Sequence, residues 1–442
     1  MAADPKPAAA SAGDAARVIG VPTATALVMG NMIGSGVFLL PASLAPYGGL
    51  SIAGWLVSAG GSVLLALVFA RLARWDPAAG GLYAYTRRAF GDLPAFLVGW
   101  GYWISAWGAN AALAVALVSY LVPFFGTLKE SPGLAAVVAI GFVWLLTAVN
   151  MVGVRAAGRV QLVTTVLKIL PLIVIGFAGL FMFEPAHFAM PEGDTQTIAA
   201  SLLTTVTLTL WAFLGLESGT VPADRVRDPA RTIPRATVIG TLLTAAIYIV
   251  STVGVMSLVP PATLKDTSAP FADAGGALFG PSAVYVVALG AAISCFGALN
   301  GWVLIAARLP LAIARDGLFP RAFGRVSGDD TPVRGLIIAA VLATLLVAAN
   351  YAEGLVALFT FIITLSTLST LVPYAFCSLA VFVTGRQATG AARLTAGAAA
   401  IAALAFVYAL LAIGGAGAEV VYWGFLLLLL GLPVYVWVIT RR

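Results

Sequence analysis

Of 442 residues, 61% are hydrophobic and only 10% are charged, and the mean hydropathy is +1.02. That composition excludes a water-soluble globular domain and puts the chain in a lipid bilayer. The formal net charge of +6 reflects where the basic residues fall along a membrane topology, so no nucleic-acid partner is expected.

The first stretch, MAADPKPAAASAGDAARVIG, has no apolar run ahead of a cleavage site and carries Asp4 and Asp14. It reads as a short disordered cytoplasmic tail over residues 1–18 and not as a signal peptide. Beyond it, a window of about 20 residues, enough to cross ~30 Å of hydrocarbon, picks out apolar segments. Twelve are found, centred near Val28, Leu65, Gly108, Phe142, Leu172, Leu210, Ala245, Ala291, Val341, Ser366, Ala402 and Leu428. Turn formers such as DPAAGG, EPAHFAMPEGD, DPARTIP and VPPATLKDTSAP fill the short loops between them, none long enough to fold separately. Cys295 and Cys377 lie within apolar runs, where a thiol packs as a small hydrophobe.

Basic residues in short loops stay on the cytoplasmic side. One set of loops carries Arg71, Arg74, Arg87 and Arg88, then Arg155 and Arg159, then Arg225, Arg227, Arg231 and Arg235. It continues with Arg308, Arg315, Arg321, Arg325 and Arg334, then Arg386 and Arg393, and Lys6, Arg17, Arg441 and Arg442 fall with it. The opposite loops hold only Lys129 and Lys265. Twelve segments with both termini in the cytoplasm satisfy this pattern.

Two ionisable residues remain at membrane depth, Lys168 in the fifth segment and Glu217 in the sixth. A charge in hydrocarbon is costly unless it meets a partner or a wet cavity, so both are candidates for function. The plain alternatives are a helix-locking hydrogen bond or a side chain that snorkels to the surface.

The first segment contains GNMIGSG, and the sixth reads SLLTTVTLTLWAFLGLESGTVP; both gather small residues at mid-depth, five segments apart. Glycine-interrupted helices at matching places in two halves point to an inverted-repeat transporter. Unwound backbone is tolerated at that depth only where it lines a cavity. Its amides suit a carboxylate and its carbonyls an ammonium, which is what an α-amino acid presents. The competing reading of Gly30 and Gly34 is a GxxxG packing face.

On GNMIGSGVFLLPASLA, DPAAGGLYAYTRRAFG, GYWISAWGAN, LWAFLGLES, NGWVLIA, DGLFP and TLVPYAF, the chain resembles the amino acid/polyamine/organocation superfamily. Within it, the resemblance is to the basic amino acid and polyamine antiporters, most closely the arginine/agmatine-exchanging branch, and it covers nearly the whole chain. It implies an all-α membrane protein of 12 transmembrane helices in a 5+5 inverted repeat of the leucine-transporter type, with helices 1 and 6 broken. The repeats would span 19–183 and 197–385, with segments eleven and twelve in 391–442. The expected location is the bacterial inner membrane, and such families commonly form homodimers.

Carried over motif by motif, the resemblance makes the amides of Ser35 and Gly36 the carboxylate site, with Asn31 and Met32 beside them. Carbonyls around Met32, Trp211, Ala212 and Leu214 would take the α-ammonium. Trp211 is similar to an aromatic lid, and Trp302 to a face on which a cationic side chain stacks. Asn110 and Ser366 match polar pocket positions, and Ser105 and Ala106 stand where the related pocket has small and cysteine residues. Tyr102, Glu217 and Tyr374 match gating positions, and Tyr83 one linked to pH response; the plain reading of the tyrosines is belt or core packing. Lys168 departs from the arginine/agmatine pattern and is similar to a lysine that replaces sodium in sodium-independent permeases. Exchange of a basic amino acid for its decarboxylated amine therefore competes with sodium-independent, proton-coupled permeation or exchange of neutral or broader amino acids. No metal, cofactor or enzymatic residue set is expected: the single histidine, His187, lies in an outer loop and reads as solvated, and no HExxH, paired-cysteine or phosphate-loop motif is present.

Overall fold

The computed structural model describes residues 17–191, 193–267, 269–353, 356–387 and 394–441. Of the expected tail, residues 1–16 lie outside the described residues, as do Arg393 and Arg442 of the charge pattern. Val18, assigned to that tail, is instead fixed, because its amide donates to the Arg225 carbonyl at 2.9 Å.

Peptide groups in hydrocarbon have no water to bond, so long apolar stretches close their hydrogen bonds internally as helices. With the shorter helices between them, the described helices of nine or more residues are, in chain order, α1 Val21–Met32, α2 Gly36–Leu44, α3 Leu50–Trp75, α4 Leu82–Phe90, α5 Asp92–Leu121, α6 Pro132–Val152, α7 Val154–Phe181 and α8 Thr195–Trp211. There follow α9 Pro229–Leu258, α10 Pro270–Phe279, α11 Ala283–Arg315, α12 Val333–Glu353, α13 Val356–Gln387, α14 Ala396–Gly415 and α15 Ala418–Ile439. Among the described residues the only β pairing is two isolated bridges, Ile19 with Val226 and Ser327 with Thr331.

Among the described residues, ten helices are long and apolar enough to cross a bilayer, and an eleventh span results if α1 and α2, bent by 43° at their junction, count together. The remaining apolar helix, α8, has 17 residues, about 25 Å at 1.5 Å per residue.

Two features position the interior. First, α11 packs along α5, α7 and α1, while α9 packs along α3, α7 and α1. Close approach of α7 to α9 depends on glycine, since a Cβ on Gly254 would stand 2.5 Å from the Gly176 carbonyl oxygen. Second, the start of α1 is stapled to the segment that precedes α9. The Val18 and Ile19 amides donate to the Arg225 carbonyl, and the Arg227 amide donates to the Ile19 carbonyl at 2.9 Å.

Candidate functional site

Between Met32 and Gly36 the chain leaves helical geometry: Ile33 has φ −78° and ψ 90°, and α2 begins at Gly36. A buried carbonyl without a donor is expensive, and here each one finds a side chain. Lys168 Nζ donates to Gly30 O at 2.7 Å and Ile33 O at 2.5 Å. Trp302 Nε1 donates to Asn31 O at 3.3 Å, and the Tyr248 hydroxyl reaches Met32 O at 2.7 Å. Ser294 Oγ lies 3.1 Å from both Ile33 O and Gly34 O, and the Tyr120 hydroxyl 3.5 Å from Ser35 O. Lys168, with no solvent exposure, thus caps the carbonyl end of α1, where the helix dipole favours a cation, and does not snorkel. Among the described residues, the Ser35 and Gly36 amides at the start of α2 make no hydrogen bond to protein.

The second irregular stretch starts where α8 ends. The Phe213 amide bonds to Leu210 O at 2.9 Å and the Leu214 amide to Trp211 O at 3.3 Å, tightened turns that lead into the 3-10 turns Ser218–Thr220 and Ala223–Arg225. Gly215 sits at φ +104°, a conformation that favours glycine, and a Cβ there would stand 3.1 Å from the Asn31 carbonyl carbon. The two irregular stretches therefore touch. Tyr248 of α9 ties them together, its hydroxyl lying 2.7 Å from Met32 O and 3.0 Å from Ala212 O.

Between them lies a cavity of about 90 Å³ lined by Asn31, Met32, Gly34, Ser35, Gly36, Ser105, Ala109, Ala112, Leu113, Trp211, Ala212, Leu214, Trp302, Ser366 and Thr370. No lining side chain is charged. The Trp211 ring lies against Gly36, where an added Cβ would be 2.1 Å from Cζ3. Ser105 Oγ donates to Ser366 O at 3.0 Å and lies 2.9 Å from Thr370 Oγ1, tying α5 to α13.

Two residues expected at the site stand apart from it. Ala106 and Asn110 are buried but do not line the cavity. Ser105, Ala109, Ala112 and Leu113 share one face of α5, and Ala106 and Asn110 are turned about 100° and 140° from Ser105 at 3.6 residues per turn. Conversely Gly34, Ala109, Ala112, Leu113 and Thr370 line it, and Tyr248 and Ser294 hold its backbone. Of these, Gly34 and Ala109 fall within motifs the sequence singled out, GNMIGSG and GYWISAWGAN, and neither was marked there as a cavity residue.

Glu217, Tyr102 and Tyr374, far apart in sequence, form one buried cluster in which both phenols donate to the Glu217 carboxylate. Tyr102 connects it to the cavity, its ring centroid being 6.1 Å from that of Trp302. Tyr83 lies elsewhere, on α4, and donates to Asp316 Oδ2 at 2.9 Å. Burial and the Asp316 carboxylate push its phenol well above the usual range, so it is a fixed donor. His187, expected to be solvated, is half-buried with Nδ1 2.9 Å from Met256 O. It lies in a 3-10 turn, Pro185–Phe188, that packs this loop onto α9. Among the described residues no group of histidine, cysteine and acidic side chains could hold a metal ion.

Long apolar helices around a small cavity walled by peptide groups define a membrane transport protein. The chain belongs to the amino acid permease family, whose model matches residues 19–439, within the basic amino acid and polyamine antiporters. It is similar to the cadaverine/lysine antiporter of Escherichia coli (strain K12), 35% identical over 368 residues, 81% of this chain and 82% of that protein. It is also similar to the putrescine transporter PotE of the same strain, 32% identical over 418 residues, 94% of this chain and 95% of that one. PotE of Haemophilus influenzae is 33% identical over 419 residues, 94% and 96% of the two chains. These relatives are transporters and not enzymes, and they place basic amino acid and amine transport ahead of the arginine/agmatine pair in particular.

Proposed function

We propose that the protein exchanges a basic amino acid for its decarboxylated diamine, with lysine and cadaverine the first pair to test, ornithine and putrescine the second and arginine and agmatine the third. The observation that carries this reading is the meeting of the two irregular stretches around one uncharged cavity. Free amides at the start of α2 suit a carboxylate, and the carbonyls of Met32 and Ala212 suit an ammonium. The Trp302 face suits the distal cation, a contact worth roughly 0.5–2 kcal/mol. In this reading the chain has twelve spans, with α1 and α2 as an interrupted first and α8 with its following turns as an interrupted sixth. Segments one, two, six and seven, drawn from both repeats (19–183 and 197–385), rock against the rest across the bacterial inner membrane, both termini cytoplasmic. Trp211 and the Glu217 cluster close the cavity on either side. The cavity of about 90 Å³ is small beside a basic amino acid, so in this reading it widens on binding as Trp211 moves.

A second reading, permeation or exchange of neutral amino acids, draws on Lys168, whose ammonium holds carbonyls that a sodium ion would otherwise bridge. Proteoliposomes loaded with cadaverine and presented with labelled lysine, without sodium, separate the two. Counterflow that unlabelled lysine, arginine or agmatine competes away, and leucine and alanine do not, supports the first; uptake of leucine without counter-substrate supports the second and defeats the first.

A further inference from the structure

On the face where the arginine-bearing loops meet, one buried guanidinium is shared by two carboxylates from different parts of the fold. Arg308 of α11 is 3% exposed. Its Nη1 lies 3.1 Å from Asp224 Oδ2 and 3.5 Å from Asp330 Oδ2. Asp330 is fastened to α11 itself. It closes the 3-10 turn Gly328–Asp330 soon after that helix, and its other oxygen takes Arg315, about two turns beyond Arg308. Asp224 belongs to the other side, in the turn Ala223–Arg225 between the second irregular stretch and α9. The neighbouring Arg225 carbonyl accepts the amides of Val18 and Ile19 at the start of α1. Displacement of α1 away from α11 on this face therefore carries Asp224 along and leaves Asp330 behind.

We propose that Arg308 is a positioning residue of the transport cycle: its pair with Asp224 is a latch that closes this face, and Asp330 is the counter-ion that keeps the guanidinium paired when the latch opens. The inference rests on the alternating-access reading above. Exposure explains why a second acid is needed. The Asp224 and Asp330 side chains are 26% and 32% exposed, and that of Arg308 is 2%. Either carboxylate is hydrated on separation, whereas an arginine stripped of both partners would be a bare buried charge, and that penalty alone would hold the face shut. With Asp330 already within ion-pair reach of the same nitrogen, the guanidinium passes from two partners to one and never to none. The Asp224 and Asp330 substitutions therefore act in opposite directions, which two interchangeable surface ion pairs would not do.

The test uses the full chain in nanodiscs, with the buried Cys295 and Cys377 replaced by alanine and a single reporter cysteine at Val221, which is 1% exposed and borders the cavity of about 570 Å³ on this face. Asp224→Asn is expected to raise the rate of maleimide labelling about tenfold, and Asp330→Asn to lower it about tenfold. Asp330→Asn also slows cadaverine–lysine counterflow while leaving lysine affinity unchanged, and Asp330→Glu restores the rate. Labelling unaffected by Asp224→Asn, or accelerated by Asp330→Asn, overturns the proposal. Should Asp330→Asn not fold, Arg315→Gln, which frees the second oxygen of Asp330, is expected to slow labelling about threefold, and an unchanged rate counts equally against it. Labelling does not depend on what is carried, so the expected pattern without counterflow rejects the substrate assignment and leaves the latch standing.

Discussion

Replacing Lys168 by methionine keeps the length and apolar stem of the side chain and removes the ammonium that secures the end of α1. In the wild-type chain that ammonium, wholly buried, donates to two carbonyls at 2.7 and 2.5 Å. After the substitution Ile33 O retains the Ser294 hydroxyl at 3.1 Å, but Gly30 O is left without a side-chain donor. A buried carbonyl so abandoned costs about 1–3 kcal/mol, and the charge-assisted bond lost at Ile33 adds a similar amount. Relief from burying an ammonium offsets part of this, leaving about 2 kcal/mol against the observed arrangement of residues 30–35. If binding requires that arrangement, 2 kcal/mol is a factor of about thirty in apparent affinity. Calorimetric titration of purified Lys168→Met with lysine and with cadaverine measures it, circular dichroism reporting that the helices persist. A folded variant that binds within about threefold of wild type would refute the reasoning.

Gly36→Ala puts a methyl 2.1 Å from the Trp211 ring and forces the indole off the cavity, so counterflow should slow at least about tenfold, overpacking of this kind costing 1–3 kcal/mol; normal turnover would mean that the indole need not rest there. Trp302→Ala should weaken cadaverine binding by about 2- to 30-fold, the equivalent of 0.5–2 kcal/mol, and equal affinity by calorimetry would remove Trp302 from the cation site. Tyr248→Phe deprives Met32 O and Ala212 O of their shared hydroxyl, a loss of about 1–2 kcal/mol seen as a lower melting temperature; an unchanged melt would show that the tie carries no load. Because the Tyr83 phenol is held protonated, Tyr83→Phe should scale transport rates evenly across about pH 5–8, and a shifted pH midpoint would contradict this.

Hydropathy alone announced the bilayer, since apolar runs of this length have no other solvent, and the family was readable because its motifs are contiguous words such as GNMIGSG and LWAFLGLES. Rotation about a helix axis is a different matter. α5 is apolar all round, one face meeting other helices and another the lipid, so nothing in GYWISAWGAN says that Ser105 and Ala109 face the cavity while Ala106 and Asn110 turn away; packing against α11 and α13 decides it. The same blindness hid Tyr248 and Ser294. One hydroxyl among the three of AAIYIVST, or the serine of AAISCFG, is unremarkable until the fold sets it beside carbonyls that have lost their helix partners. Arg308 read only as a topology signal, because the two acids that share it come from loops 84 and 22 residues away in opposite directions along the chain.

The central claim is that bare peptide groups at the two irregular stretches grip both ends of the substrate, and a structure determined with lysine bound tests it most directly. The account predicts the α-carboxylate within hydrogen-bond distance of the Ser35 and Gly36 amides and the α-ammonium on the carbonyls of the Met32 and Ala212 region, with Trp211 folded over them. Lysine density lodged elsewhere, or held there through side-chain charges while those amides stay unengaged, would contradict it.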